Sequence, residues 1–213
     1  MTADSQEKPA VWGVVPAAGA SRRMGASKGL LELDGVSFVR HVVGALAAGG
    51  CGPVLVVTAP GDRATAAEAE AAGARVLVNP EPGEGPITSL RLAIAEASRS
   101  DAAYVAYLPI DHPRVRAGTV AALLAATRAQ YPPAALPSYR GSRGHPAVFA
   151  RSLFDELSDP GLEGGARTVV HRHLDRVLLV ETEDPGVLLD VDTPEEYREL
   201  LRASRSGATG TDP

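Results

Sequence analysis

The segment Pro16-Ala17-Ala18-Gly19-Ala20-Ser21-Arg22-Arg23-Met24-Gly25-Ala26-Ser27-Lys28 joins small side chains to three cations. Small residues let backbone N–H groups approach and face an anion. Arg22, Arg23 and Lys28 add the positive charge that a triphosphate attracts. The spacing is neither GxxxxGK[ST] nor GxGxxG, which weakens both the P-loop and the dinucleotide readings. A Gly/Ala-rich surface loop with ordinary arginines is the competing reading, and Lys28 favours a site. Lys and Arg total 21, yet only Lys8 and Lys28 are lysines, and Lys8 lies in the polar N-terminal stretch. A compact ammonium on a flexible stem does what a planar guanidinium cannot.

Carboxylates complement these cations. Asp111 follows Leu108-Pro109-Ile110, where it suits Mg²⁺, an ion held by one or two carboxylates together with phosphate oxygens. A turn or cap role in Asp-His-Pro is the alternative. In Leu189-Asp190-Val191-Asp192 the alternation puts both aspartates on one face of an extended strand, although Asp192 is equally placed to cap a following helix. Arg143, His145 and Arg167 are candidates to grip the phosphate or ring of a second substrate, with turn and surface roles as alternatives. His171 and His173 lack a third ligand, so no zinc site is expected.

These residues need a frame that gathers distant segments. Residues 10–16 read as a buried strand closing on proline, and Asp34-Gly35 marks a turn. A helix over 37–48, capped by Ser37 and ended by Gly49-Gly50, is followed by a strand at 54–58. A helix at 62–72, a strand at 75–78, a helix at 87–99, a strand at 102–110 and a helix at 116–130 continue the alternation. Such βαβ units imply an α/β fold, a three-layer, doubly wound and mostly parallel sheet with helices on both faces. In such sheets ligands bind outside the carboxyl ends of the strands. Beyond residue 131 two strands flank a Gly-rich turn at 140–144, making a small β-rich insertion. Short helices at 151–157 and 165–173, strands at 176–181 and 186–191, and a helix from Thr193 to about Ala203 complete the chain. The expected division is a tail at 1–9, one domain at 10–204 and a tail at 205–213.

Composition bounds the function class. The 21 basic against 26 acidic residues give a charge of −5, against a nucleic-acid binder that neutralises phosphates. Apolar residues make up 45%, as in a globular domain. No apolar run approaches the roughly 20 residues that span a bilayer. A polar N-terminus and one cysteine, Cys51, point to the cytoplasm.

The first segment resembles the MobA-like nucleotidyltransferase signature (L/P)AAGxSxRMGxxK at every fixed position. The resemblance extends over nearly the whole chain. It includes Asn79-Pro80 through Gly85 to Ser89-Leu90, and Leu108 to Pro113. Arg143-Gly144-His145-Pro146, Gly165-Ala166-Arg167 and Leu189 to Pro194 are similar to the molybdopterin cytidylyltransferase branch. Gly85-Pro86-Ile87 departs from that branch and is closer to the guanylyltransferase style. The resemblance implies Mg²⁺-dependent transfer of NMP from an NTP to the phosphate of molybdopterin, releasing pyrophosphate. By position, Ala17, Ala18, Gly19 and Ser21 would contact the nucleotide, with Asn79, Gly85 and Ser89 near its base or ribose. Arg23 and Lys28 would neutralise developing phosphate charge, and Asp111 and Asp192 would hold the metal. Arg143, His145 and Arg167 would bind the acceptor. Residues 10–130 would then serve the nucleotide and 131–192 the acceptor. An alanine at Ala18 goes with CTP rather than GTP in this family. The alternatives are a cytidylyltransferase of sugar or polyol phosphates, and a non-catalytic molybdopterin chaperone; contact with molybdoenzymes would suit either molybdopterin reading.

Overall fold

A computed structural model describes residues 9–19 and 27–208. In chain order the strands are β1 (Val11–Ala17), β2 (Glu32–Leu33), β3 (Val36–Ser37), β4 (Val54–Thr58), β5 (Arg75–Val78), β6 (Tyr104–Tyr107), β7 (Ala134–Tyr139), β8 (Ser142–Arg143), β9 (Ala147–Ala150) and β10 (Leu178–Glu181). The helices are α1 (Phe38–Ala48), α2 (Arg63–Ala71), α3 (Pro86–Ser98), α4 (Ala117–Gln130), α5 (Phe154–Ser158), α6 (Ala166–Arg172) and α7 (Pro194–Ala208). The main sheet runs β10-β7-β9-β6-β1-β4-β5, with β8 on β7. Strands β6, β1, β4 and β5 are mutually parallel, whereas β9 runs antiparallel to both β6 and β7. The expected mostly parallel α/β sheet is therefore present, and the antiparallel part begins where the sequence changes character after residue 131.

Burial on both faces explains the near-continuous apolar strands. Val11, Val15 and Ala17 of β1 join Val39, Val42 and Leu46 of α1 and Leu123 and Leu124 of α4. Trp12 and Val14 point the other way, into a second core with Leu90 and Ile94 of α3, Leu157 of α5 and Val169 of α6. Each of these Val, Leu and Ile side chains contributes about 1.5–3 kcal/mol when fully buried. A third cluster docks α7 on the β2–β3 hairpin through Leu33, Phe38, Val191 and Leu200. The Tyr197 hydroxyl donates to Glu32 O at 2.8 Å and accepts from Glu32 N at 3.2 Å. This docking returns the C-terminal segment to the mouth of β1.

Three elements differ from expectation. The 102–110 strand shortens to β6; Leu108 N still bonds Val14 O, but Pro109 has no N–H to continue the ladder. The 186–191 strand is instead a 3₁₀ turn over Pro185–Leu188, because Asp184 caps it by accepting from Gly186 N. Helix α7 continues to Ala208, beyond the expected end near 203, with Ser204 donating to Asp34 of the hairpin turn. Among the described residues no helix is long and apolar enough to cross a membrane.

Candidate active site

From β1 the sheet grows through β4 and β5 on one side and restarts at β6 on the other. The crevice at such a switch point, outside the carboxyl ends of the strands, is the expected ligand position. A cleft of about 910 Å³ lies there. Ala17, Ala18 and Gly19 line it after β1, Asp111 and His112 after β6, and Lys28 lies between. Gly85 and Ser89 form part of one wall; His145 and Arg167 belong to the other half.

At the centre is a cluster of opposite charges. Lys28 Nζ donates to Asp111 Oδ2 at 3.4 Å and to Asp192 Oδ1. The lysine side chain is 15% exposed. Its backbone is held by the preceding residue: Ser27 Oγ donates to Asp62 Oδ2 at 2.9 Å and lies 2.8 Å from Thr65 Oγ1. Asp62 caps α2 by accepting from Thr65 N at 3.1 Å. Lys28 is thereby anchored to the start of α2 while its stem reaches the cleft.

The hydrogen bonds at the helix starts remove the capping role from both aspartates. At the start of α7, Thr193 Oγ1 accepts from Glu196 N at 3.2 Å, and Glu196 Oε2 accepts from Thr193 N at 2.8 Å and Asp192 N at 2.7 Å. This reciprocal capping satisfies the helix end and leaves the Asp192 carboxylate to Lys28. Asp111 does not cap α4 either, since the N–H of Arg116 goes to Asp184 Oδ2 at 2.9 Å. The Asp111 carbonyl accepts from Val191 N at 3.0 Å, which couples the two carboxylate-bearing segments. Asp190 also faces the cleft and is exposed, as the alternation around buried Val191 requires even without a strand.

The other half of the cleft is aromatic. The His112 and His145 ring centroids are 4.7 Å apart, and Tyr107 lies 6.1 Å from His145. Burial, together with repulsion from His112, pushes His145 down to about 4. Burial also lowers His112, against the opposing pull of Asp111 and Asp190. Both rings are thus neutral near pH 7. The His145 backbone N–H donates to Val187 O at 2.9 Å. A Cβ on Gly144 would lie 2.4 Å from that same oxygen, so only glycine permits this approach.

Other expected residues fall elsewhere. Asn79 is 1% exposed and sits behind the wall, where Nδ2 donates to Thr88 Oγ1 at 2.8 Å and Ser89 Oγ at 3.1 Å. It shapes the Gly85–Ser89 segment and does not line the cleft. Arg143 is exposed on β8 and is not among the lining residues. Ser21 and Arg23 lie outside the described residues. Sequence reasoning missed His112 and Tyr107; the position of His112 directly after Asp111 at a strand end was the available signal.

The donor set suits a hard divalent cation. Two carboxylates already bracket one cation, the Lys28 ammonium. Among the described residues no group of three or more His, Cys, Asp or Glu could hold a metal ion. Such a pair needs further oxygens from substrate, as Mg²⁺ sites on phosphates commonly do.

Comparison with known proteins shows the family. Residues 13–177 match the MobA-like NTP transferase domain. The nicotine blue oxidoreductase of Paenarthrobacter nicotinovorans is 31% identical, over 91% of this chain and 97% of that protein. The molybdenum cofactor guanylyltransferase of Shewanella baltica is 29% identical, over 88% and 93% respectively. The structure of Rv0371c from Mycobacterium tuberculosis superposes with a TM-score of 0.77 at 28% identity, covering 92% of this chain and all of that one. Rv0371c in complex with manganese gives 0.72 at 27% identity, covering 91% and 99%.

Proposed function

The chain belongs to the MobA-like NTP transferase family, and from that premise we propose that it transfers CMP from CTP to the phosphate of molybdopterin, with Mg²⁺ and release of pyrophosphate. The observation that carries this reading is the meeting of Lys28, Asp111 and Asp192 at the β1/β6 switch point. That nucleotides are transferred follows from the family; the base, the ion and the acceptor are what we propose.

In this reading an oxygen of the acceptor phosphate forms a bond to the α-phosphorus of CTP while the bond to the β-phosphate oxygen breaks. No covalent enzyme intermediate is needed, because the acceptor phosphate is already a nucleophile. Catalysis is then positioning plus stabilisation of developing charge. Ala17, Ala18 and Gly19 give the triphosphate close backbone approach, Ser21 would contact the nucleotide as the family resemblance implies, and Lys28 and Arg23 would neutralise the departing pyrophosphate. Mg²⁺ held by Asp111 and Asp192 would supply Lewis-acid polarisation of the phosphates. Gly85 and Ser89, backed by Asn79, border the base or ribose, and Ala18 favours CTP over GTP. On the acceptor side, neutral His145 suits the ring system and Arg167 suits its phosphate, whereas Arg143 lies outside the cleft lining.

Pyrophosphate release tests this reading, with CTP or GTP combined with molybdopterin or a polyol phosphate. Release is expected with CTP, molybdopterin and Mg²⁺, and should be lost in Asp111→Asn while the far-UV spectrum is unchanged. Preference for GTP overturns the base assignment, and turnover on polyol phosphates alone overturns the acceptor. Tight nucleotide binding without release under any combination supports a chaperone and sinks the transfer reading. A parallel oxidoreductase assay on nicotine blue separates transfer from the activity named for the Paenarthrobacter relative.

A further inference from the structure

Three residues assigned above to phosphate and metal are closed on one another in this structure. The Lys28 ammonium donates to both Asp111 and Asp192, although these carboxylates lie on separate segments. The Val191 N–H to Asp111 carbonyl bond ties those segments together, so the carboxylates form a built mouth and not two loose side chains. We infer that Lys28 holds the divalent-ion position until a triphosphate arrives, so that the metal enters as its triphosphate complex and not alone. This inference rests on the reading of Asp111 and Asp192 as the metal carboxylates.

Charge and coordination argue the same way. A divalent ion between these carboxylates would sit beside the Lys28 ammonium, and like charges at such short range repel even though the Asp192 side chain is 45% exposed. The two carboxylates fill only part of an octahedral sphere and leave the rest to water, so they hold a lone ion weakly, and no third His, Cys, Asp or Glu completes a metal-binding group among the described residues. A triphosphate removes both obstacles. Its oxygens fill the coordination sphere, and its charge gives Lys28 a new partner. The anchor at Ser27 holds the backbone, while the four-carbon stem lets the ammonium swing between anions. Metal and nucleotide binding are then positively and reciprocally linked.

Mn²⁺ is the probe, followed by its electron paramagnetic resonance signal in the absence of nucleotide. Lys28→Ala and Lys28→Gln should bind Mn²⁺ at least about 10-fold more tightly than the wild type, more than one remote surface charge achieves under physiological screening. In the wild type, a non-hydrolysable CTP analogue should tighten Mn²⁺ by a similar factor, and this linkage should shrink in both variants. Asp111→Asn should lose Mn²⁺ with or without the analogue. Equal or weaker Mn²⁺ affinity in both Lys28 variants, with Asp111→Asn defective, overturns the placeholder role alone. Undiminished Mn²⁺ binding in Asp111→Asn overturns the metal reading beneath it.

Discussion

Asp184→Ala is expected to destabilise the protein by about 3–5 kcal/mol, because it removes a buried carboxylate that accepts three hydrogen bonds and leaves their donors without that partner. Asp184 is 3% exposed. Its Oδ2 accepts from Arg116 N at 2.9 Å and Thr119 Oγ1 at 2.7 Å, and its Oδ1 accepts from Gly186 N at 3.0 Å. Hydrogen bonds to a charged group contribute about 1.5–3 kcal/mol each. Their simple sum exceeds the expected loss because alanine also removes the cost of burying the carboxylate. For a domain of this size, about 2–4 °C per kcal/mol gives a fall in melting temperature of roughly 6–20 °C. Asparagine tests the geometry more closely. With its oxygen at the Oδ2 position it keeps Arg116 and Thr119, but its amide group then confronts the Gly186 N–H, donor against donor. Asp184→Asn should therefore lose roughly half of what alanine loses. Urea unfolding followed by circular dichroism measures both, provided the slope with denaturant is unchanged. Alanine within about 1 kcal/mol of wild type, or asparagine equal to wild type, would refute the accounting. Function should follow stability, because the segment after Asp184 carries the Val187 carbonyl that holds His145. Below its melting point Asp184→Asn should raise KM for the acceptor and leave nucleotide affinity unchanged.

Asn79→Ala removes the donors to Thr88 and Ser89 and the acceptor of the Glu81 N–H. KM for the nucleotide should rise several-fold with a smaller change in kcat, and Asn79→Asp should be no better, since a carboxylate cannot donate; steady-state kinetics with NTP varied checks this. His145 is pushed down to about 4 from an ordinary 6.5, so between these values the unfolded chain binds a proton that the folded chain does not. Stability should therefore fall as pH drops through that window, by at most about 3 kcal/mol from this group, and should be independent of it above pH 6.5. Denaturant titrations from pH 4 to 7 should show this slope reduced in His145→Phe, and an unchanged slope would count against the burial argument.

What the sequence reveals and what it hides divides along the distance between interacting residues. Strands β4 and β5 and helices α1 and α3 are readable because apolar period, turn residues and caps all lie within a few positions of one another. Asp111 is readable too, since a carboxylate at the end of an apolar strand has a known place in open α/β sheets. The 186–191 run failed because its conformation is set by Asp184, whose partners Arg116 and Thr119 lie on another helix. His112 was passed over for the same reason: Asp-His-Pro reads locally as a turn, and its ring neighbour His145 lies on a distant loop. Asp192 shows the limit most clearly. Thr-Pro-Glu-Glu makes the aspartate an equally good helix cap and metal carboxylate on local evidence, and only the Thr193–Glu196 reciprocal bonds remove the first role. Sequence composition singled out Lys28, whereas alternation offered Asp190 and Asp192 together and only the family resemblance preferred Asp192. The contact of Lys28 with Asp192 spans 164 positions and exists only in the folded chain, where the docking of α7 on the β2–β3 hairpin brings Asp192 to Lys28.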